Sequence, residues 1–443
     1  MKRRYMQLLY PGMHIKRWLL LALVSLSIAS FGLGLFLNYN LIMYVEGLIF
    51  SYAHYLFGWP FYSIVQFTGL LIFCLGVVVT YFFVKRGLRN MVYELLPGEH
   101  GHIIDNLFKG RRLRSGPKIV AIGGGTGLSV LLRGLKSITA NITAIVTVAD
   151  DGGSSGALRE QLHIVPPGDM RNCMVALSDA EPLMERIMQH RFDSEGALGG
   201  HSLGNLFIAA LAKELGDIEL AMEAASKLLK INGKVIPSTK QNIRLCAEMA
   251  DGEIVVGESK ITKAGKKIHR VFLDTLDVNV PASAIDAVLN ANIIIFGPGS
   301  LYTSIIPNLL LGQLTDAIKR SSAAKIYICN VMTQSGETDG YSASDHVQAI
   351  LDHAGKVVEY VVVNNREVIQ SLKELYAGKK AFPVLGDIDK IRELGVIPVE
   401  ADIICETNYV RHDHTKLPDV IIELVYGILG KNKRRFWDKF IRN

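Results

Sequence analysis

Three glycine- and hydroxyl-rich clusters carry the residue types most able to do chemistry. Gly123-Gly124-Gly125-Thr126-Gly127 follows one β-branched run, and Asp150-Asp151-Gly152-Gly153-Ser154-Ser155-Gly156 follows a second. Gly297-Pro298-Gly299-Ser300-Leu301-Tyr302-Thr303-Ser304 follows a third. Glycine lets the backbone approach a ligand closely and adopt positive φ. N–H groups open at the start of the next helix attract anions, and Ser or Thr adds hydroxyl donors. One such loop is an ordinary tight turn. Three at strand ends point to a phosphate-bearing ligand, with packing alone as the competing explanation. Two more polar turns enter helices, Pro166–Asn172 and Gly199–Asn205. In the first, Arg171 can fork onto a phosphate or pair with Asp169 or Asp179. In the second, His201 and Asn205 can read a ligand or serve as caps.

Known phosphate motifs are approached but not met. The dinucleotide fingerprint requires glycine at 128, where Leu128 stands, although Asp150 sits where a ribose-binding acid often lies. A nicotinamide cofactor stays open on that ground. No G-K-[ST] follows, so this is not a P-loop. The adjacent Asp150 and Asp151 can hold Mg²⁺ against a diphosphate, grip ribose hydroxyls or fix the glycine turn. No Ser/His/Asp set, no cysteine nucleophile with a base and no H-E-x-x-H is present. His412 and His414 lack a third ligand nearby in sequence.

The elements that must position these loops alternate. Strand-like runs at Lys118–Ile122, Ile142–Val148, Asn292–Phe296, Lys325–Cys329, Val357–Val363 and Ile403–Ile404 are separated by helical stretches. These include Gly127–Lys136, Leu203–Leu215, Ile218–Leu229, Ala282–Leu289, Ser344–Asp352 and Pro418–Leu429. The pattern predicts an α/β fold, a parallel sheet with helices on both faces. The stretch Val235–Leu273, with runs at Glu253–Val256 and Ile268–Leu273, reads as a small β insertion. In open α/β sheets ligands bind outside the carboxyl ends of the strands, which is where the glycine loops fall.

The chain has 443 residues and its mean hydropathy is +0.25, high for a purely soluble protein. The excess is local. Trp18–Leu37 is an uncharged run of 20 residues and Phe61–Val84 one of 24, each long enough to span a bilayer. Basic residues flank both, Lys16 and Arg17 before the first and Lys85, Arg86 and Arg89 after the second. The expectation is a membrane hairpin over 1–90, with both termini and the globular part cytoplasmic and the protein in the cell membrane. A basic linker (91–117) leads to a domain over 118–430, and a basic, aromatic tail (431–443) follows. Residues 1–114 hold 12 Lys/Arg against 4 Asp/Glu, whereas residues 115–430 carry a net −7. An acidic body argues against nucleic acid as a partner. The tail, with Phe436, Trp437 and Phe440 among its basic residues, is expected on anionic lipid, or else solvated. Five widely spaced cysteines with no C-x-x-C indicate free thiols. A homo-oligomer stays open.

Five blocks in order make the chain recognisable: I-G-G-G-T-G-L-S at 122–129, V-A-D-D-G-G-S-S-G at 148–156, P-G-D-M-R-N at 167–172, G-H-S-L-G-N-L at 200–206 and G-P-G-S-L-Y-T-S-I-I-P-N at 297–308. Together they resemble the gluconeogenesis-factor (YvcK-like) family, part of the wider group of the 2-phospho-L-lactate transferase (CofD-like), over about Lys118 to Leu429. The resemblance implies a Rossmann-like core. It also implies binding of a UDP-sugar, with UDP-N-acetylglucosamine the leading ligand, and a role in cell shape, envelope synthesis and carbon metabolism. Its glycine loops match Gly123–Gly127, Gly152–Ser155 and Gly299–Thr303, the last including Ser300 and Tyr302. A late tyrosine and arginine that the family places on the sugar nucleotide match Tyr376 and Arg411. The related transferase, which moves a phospholactyl group with Mg²⁺ and aspartates, supplies the alternative reading, with Asp150 and Asp151 in the metal-binding role.

Overall fold

The computed structural model describes residues 15–36, 47, 55, 61–95, 113–179, 182–193, 196, 198–275, 277–406, 410–425 and 427. Most of the expected connection between the two apolar runs, most of the linker and the whole tail lie outside them. The chain divides into two compact units, 1–108 and 109–443.

In the first unit, the helices Ile15–Phe36 and Phe61–Leu95 pack against each other. Small residues let the backbones close. A Cβ on Gly32 would lie 2.6 Å from the Phe73 amide nitrogen, and one on Gly76 would lie 2.7 Å from Ala29 Cβ. Ser25 Oγ and Thr80 Oγ1 share a hydrogen bond of 2.8 Å across the same seam. Small-residue contacts with hydroxyl links are how helices associate in lipid, where apolar burial offers no drive. Among the described residues, Phe67–Gly87 is long and apolar enough to cross a membrane, with a mean hydropathy of 2.4; Leu20–Gly34 is a shorter apolar stretch.

The second unit is built on a seven-stranded, wholly parallel sheet. Its strands in chain order are β1 (Ile119–Gly123), β2 (Ile142–Val146), β3 (Lys234–Pro237), then, after an insertion holding β4 (Leu245–Met249), β5 (Ile254–Val256) and β6 (Ile268–Leu273), β7 (Ile293–Phe296), β8 (Ala324–Ile328), β9 (Tyr360–Asn364) and β10 (Ile397–Ala401). The sheet order is β10-β9-β8-β7-β1-β2-β3. Central strands are rich in β-branched residues and buried on both faces, as helix-covered parallel sheets require; every residue of β1 and β7 is buried. Helix 125–135 buries Leu128, Leu131, Leu132 and Leu135, one helical face. Leu128, which breaks the dinucleotide fingerprint, is thus a core residue with no exposed surface.

The chain order creates one special place. From β1 it runs outward through β2 and β3, then returns to β7 on the other side of β1 before running outward again. The loops after β1 and β7 therefore leave in opposite directions, which opens a crevice at the carboxyl ends of the strands. The insertion forms an antiparallel sheet in the order β5-β4-β6 and carries the helix Glu258–Ala264 between β5 and β6. Its boundary differs from the expected one, because β3 (Lys234–Pro237) pairs with β2 in the main sheet. A hairpin of β11 (Ile404–Glu406) and β12 (Val410–His412) follows β10.

Candidate functional site

A cavity of about 470 Å³ opens at the crevice. Gly124, Gly125, Thr126 and Gly127 line it after β1, and Pro298, Gly299, Ser300 and Ser304 after β7. The two loops touch backbone to backbone. A Cβ on Gly127 would stand 2.5 Å from the Pro298 carbonyl oxygen, so only glycine fits there. Of the second sequence loop, the first residue, Asp150, is among the lining residues. Asp150 Oδ1 accepts the Gly152 N–H at 2.8 Å, an Asx turn that shapes the loop.

The remaining walls come from segments far apart in sequence. Asn330, Val331, Met332 and Gln334 follow β8; Glu258 begins the insertion helix; Val410, Arg411 and His412 form β12. Ser300 Oγ donates to Gln334 Oε1 at 2.7 Å, tying the loop after β7 to the loop after β8. His412 Nε2 donates to the Cys329 carbonyl at 3.1 Å, which fixes β12 on the end of β8. Burial lowers the His412 pKa to about 4, so the ring is neutral at pH 7. Among the described lining residues, Arg411 is the one lysine or arginine.

The same cavity is lined by three acids, Asp150, Asp169 and Glu258. Asp169 Oδ2 lies under the first glycine loop, 2.6 Å from where a Gly124 Cβ would be, and the Gly125 N–H bonds to the Asp169 carboxyl. Burial and then the Asp150 charge push the Asp169 pKa up to about 6, although the Gly125 bond acts the other way. Burial, followed by Asp150 and Asp169, raises the Glu258 carboxyl well above the usual carboxylate range. Crowded, partly buried acids accept hydroxyl protons well and repel phosphate.

The sequence-read candidates sort into two groups. Gly124–Gly127, Asp150, Asp169, Gly299, Ser300 and Arg411 meet in the cavity, while Gly123 ends β1 directly beneath it. The others support it from behind. Ser154 Oγ bonds His201 Nδ1 at 3.1 Å and accepts from Asn205 Nδ2 at 3.0 Å. Arg171 donates to Asn205 Oδ1 at 2.9 Å, to Asn172 Oδ1 at 2.8 Å and to Ser202 Oγ. Arg171, His201, Asn205 and Ser154 thus form one buried network, and the Arg171 guanidinium is engaged by neutral oxygens, neither phosphate nor carboxylate. Ser155 packs tightly against Gly168, whose Cβ would lie 2.3 Å from its Oγ. Gly152 caps and Gly153 begins the helix Gly153–Leu162, and neither is among the lining residues.

Thr303 Oγ1 donates to Glu337 Oε1 at 3.1 Å, and Tyr302 shares a 2.8 Å hydrogen bond with the Tyr341 hydroxyl. Tyr376 does not line the cavity either. Its hydroxyl receives the Val410 N–H at 3.2 Å and reaches the Val410 carbonyl at 3.4 Å, so it braces the strand that carries Arg411. Asp151 Oδ1 accepts the Ser259 N–H at 2.9 Å, away from Asp150. Among the described residues no group of three His, Cys, Asp or Glu side chains is arranged to hold a metal ion. All five cysteines are free thiols.

Sequence reading missed Glu258, the 330–334 loop, Val410 and the structural use of His412. The 330–334 loop carried a usable signal, since Asn330-Val331-Met332-Thr333-Gln334-Ser335-Gly336 is a polar strand-end loop like the other three. Glu258 carried none, because an antiparallel insertion has no rule that aims its side chains at a parallel sheet's edge.

Comparison with known proteins agrees with this architecture. Residues 119–404 match the family model described as 2-phospho-L-lactate transferase CofD. A protein of Halalkalibacterium halodurans named "Gluconeogenesis factor" is 52% identical over 69% of this chain and 95% of its own. One of the same name from Bacillus subtilis (strain 168) is 47% identical, over 70% and 98%. A relative from Nostoc sp. (strain PCC 7120 / SAG 25.82 / UTEX 2576) is 44% identical over 95% of this chain and 92% of its own. A crystal structure of a Bacillus halodurans protein superposes with a TM-score of 0.67 at 51% identity, covering 69% of this chain and 99% of that one.

Proposed function

This chain belongs to the gluconeogenesis-factor (YvcK-like) family within the CofD superfamily, and from that premise we propose that it is a membrane-anchored, cytoplasmic UDP-sugar-binding regulator. UDP-N-acetylglucosamine is the leading ligand, and cell shape, envelope synthesis and carbon metabolism are the processes regulated. The observation that carries the reading is the cavity at the switch between β1 and β7, which two interlocked glycine loops and Arg411 line together. Backbone N–H groups, the Thr126, Ser300 and Ser304 hydroxyls and one guanidinium suit a diphosphate, and the acids of the lining suit hydroxyls. Among the described residues the lining offers no assembled nucleophile and base, which favours binding over turnover. Regulation then requires that the sugar nucleotide bind one state of the body better than another. The anchor is the hairpin of Ile15–Phe36 and Phe61–Leu95, and the basic tail adds contact with anionic lipid. Calorimetric titration of the full chain with UDP-N-acetylglucosamine tests the reading: saturable binding is expected, and no heat at millimolar ligand defeats it.

A second reading follows from the family model matched, that of a transferase acting on a nucleoside-diphosphate-linked donor. It requires release of nucleoside monophosphate that depends on Mg²⁺ and is lost in Asp150→Asn. Binding without turnover across a panel of donors and acceptors rejects it.

A further inference from the structure

We infer that Glu258, supplied by the β insertion, is a specificity residue of the cavity, hydrogen-bonding the hydroxyl-bearing part of the ligand. The inference rests on the sugar-nucleotide reading above and adds to it a residue.

The placement of Glu258 is built and not incidental. It follows Gly257, whose φ of +107° is open to glycine and strained for other residues. A Cβ at Gly257 would stand 2.4 Å from Asp151 Oδ2, while Asp151 Oδ1 takes the Ser259 N–H at 2.9 Å. Asp151, the second acid of the loop after β2, therefore grips the residues on both sides of Glu258. The far end of the same short helix is held as well. Thr262 Oγ1 donates to Glu337 Oε1 at 3.2 Å, and Gln334, a cavity residue, donates to that same oxygen at 2.7 Å. With both ends fixed to the parallel-sheet body, Glu258 is left along the cavity wall, hydrogen-bonded to Asp150.

The chemistry of that wall is one-sided. Glu258, Asp150 and Asp169 stand together, Asp169 directly under the first glycine loop with the Gly125 N–H on its carboxyl, and Arg411 lines the same cavity. A phosphate beside three carboxyl groups is repelled whether or not one of them holds a proton. A hydroxyl is welcome in either case, because a carboxylate accepts from it and a carboxylic acid both donates and accepts. The neutral, hydroxyl-rich portion, whether ribose or sugar, lies toward Glu258 and Asp150. The insertion thereby completes a site that the parallel sheet alone would leave open on that side.

The test uses the full chain in lipid nanodiscs, titrated with UDP-N-acetylglucosamine, UDP and 2′-deoxy-UDP. Glu258→Ala is expected to weaken UDP-N-acetylglucosamine binding about tenfold, whereas Glu258→Gln, which keeps an acceptor and a donor, stays within about threefold of wild type. If the ribose is read, Glu258→Ala weakens UDP by the same factor and wild type already disfavours 2′-deoxy-UDP. If the sugar is read, UDP is unaffected. Unchanged melting temperatures establish that both variants fold. Binding of UDP-N-acetylglucosamine to Glu258→Ala within twofold of wild type overturns the inference. Tighter binding of both UDP and UDP-N-acetylglucosamine also overturns it, by placing Glu258 against the phosphates. Failure of the wild type itself to bind defeats the sugar-nucleotide reading, and the inference with it.

Discussion

Arg411 and His412 are neighbours on β12 with opposite duties, one toward the cavity and one toward the frame. Arg411 is the lysine or arginine among the described lining residues, so Arg411→Ala should weaken a diphosphate ligand by about 1–3 kcal/mol, roughly fivefold to 150-fold. Calorimetry reads this directly, and an affinity unchanged by the substitution would remove Arg411 from the phosphate site. His412 acts through its ring nitrogen on the Cys329 carbonyl, and its pKa falls to about 4 in the folded state. A folded pKa below the unfolded one means the unfolded chain binds more protons between about pH 4 and 6.5, so stability is lost as pH falls through that window. Asp169 acts in the opposite sense. Its folded pKa near 6 lies above the ordinary value, so the folded state holds the extra proton and stability falls as pH rises from about 4 to 6. The two slopes oppose each other in the wild type. Melting temperatures across pH 4.5–6.5 should therefore fall less steeply toward acid in His412→Gln than in wild type, and more steeply in Asp169→Asn. Parallel curves for all three proteins would show that neither group titrates as described.

At the level of elements, the site depends on how closely the loop after β1 meets the loop after β7. Gly127→Ala would drive a methyl into the Pro298 carbonyl, and backbone cannot yield as a side-chain tip can. A loss of about 1–3 kcal/mol of stability is expected, together with weakened ligand binding, by denaturant titration and calorimetry on the same sample. Tyr376→Phe is the gentler case. It removes a hydroxyl that serves Val410 and should cost about 1 kcal/mol while lowering ligand affinity only through the slackened β12. These elements were legible in the sequence to different degrees. Strands with β-branched runs between glycine turns, such as 119–123 and 293–296, announce themselves because a doubly covered parallel strand is apolar on both faces. β10 was missed because it is an edge strand, with Pro398 and Glu400 where a central strand would carry aliphatics. β3 was taken into the insertion because four residues cannot declare which sheet they join; the hydrogen-bond register with β2 decides that. In the site, glycine and Asp150 were readable as local motifs. The role of Arg171 was not, because its partners Ser202 and Asn205 come from a different helix and only the folded chain brings them within reach.

For the whole molecule, the question is on which side of a bilayer the acidic body works. The two apolar helices bury small residues and one hydroxyl pair against each other, a seam suited to lipid more than to water. Basic residues lie outside both apolar runs, and the connection between the runs carries a single charge, Glu46. Arg and Lys resist transfer across the membrane, so both flanks should stay in the cytoplasm and the connection should face out. A cleaved leader or a single span would place the body on the opposite side from the basic N-terminal flank, or release it. Single reporter cysteines separate these outcomes: Asn40→Cys in the connection and Ser115→Cys ahead of β1, each in a background without Cys74, Cys405 or the other native thiols. An impermeant maleimide added to intact cells with their inner membrane exposed should label position 40 and leave position 115 unlabelled until the membrane is opened. Labelling of position 115 from outside would overturn the two-span arrangement. It would also remove the sugar-nucleotide reading, because UDP-sugars are made on the cytoplasmic side and a body facing out would have no ligand to bind.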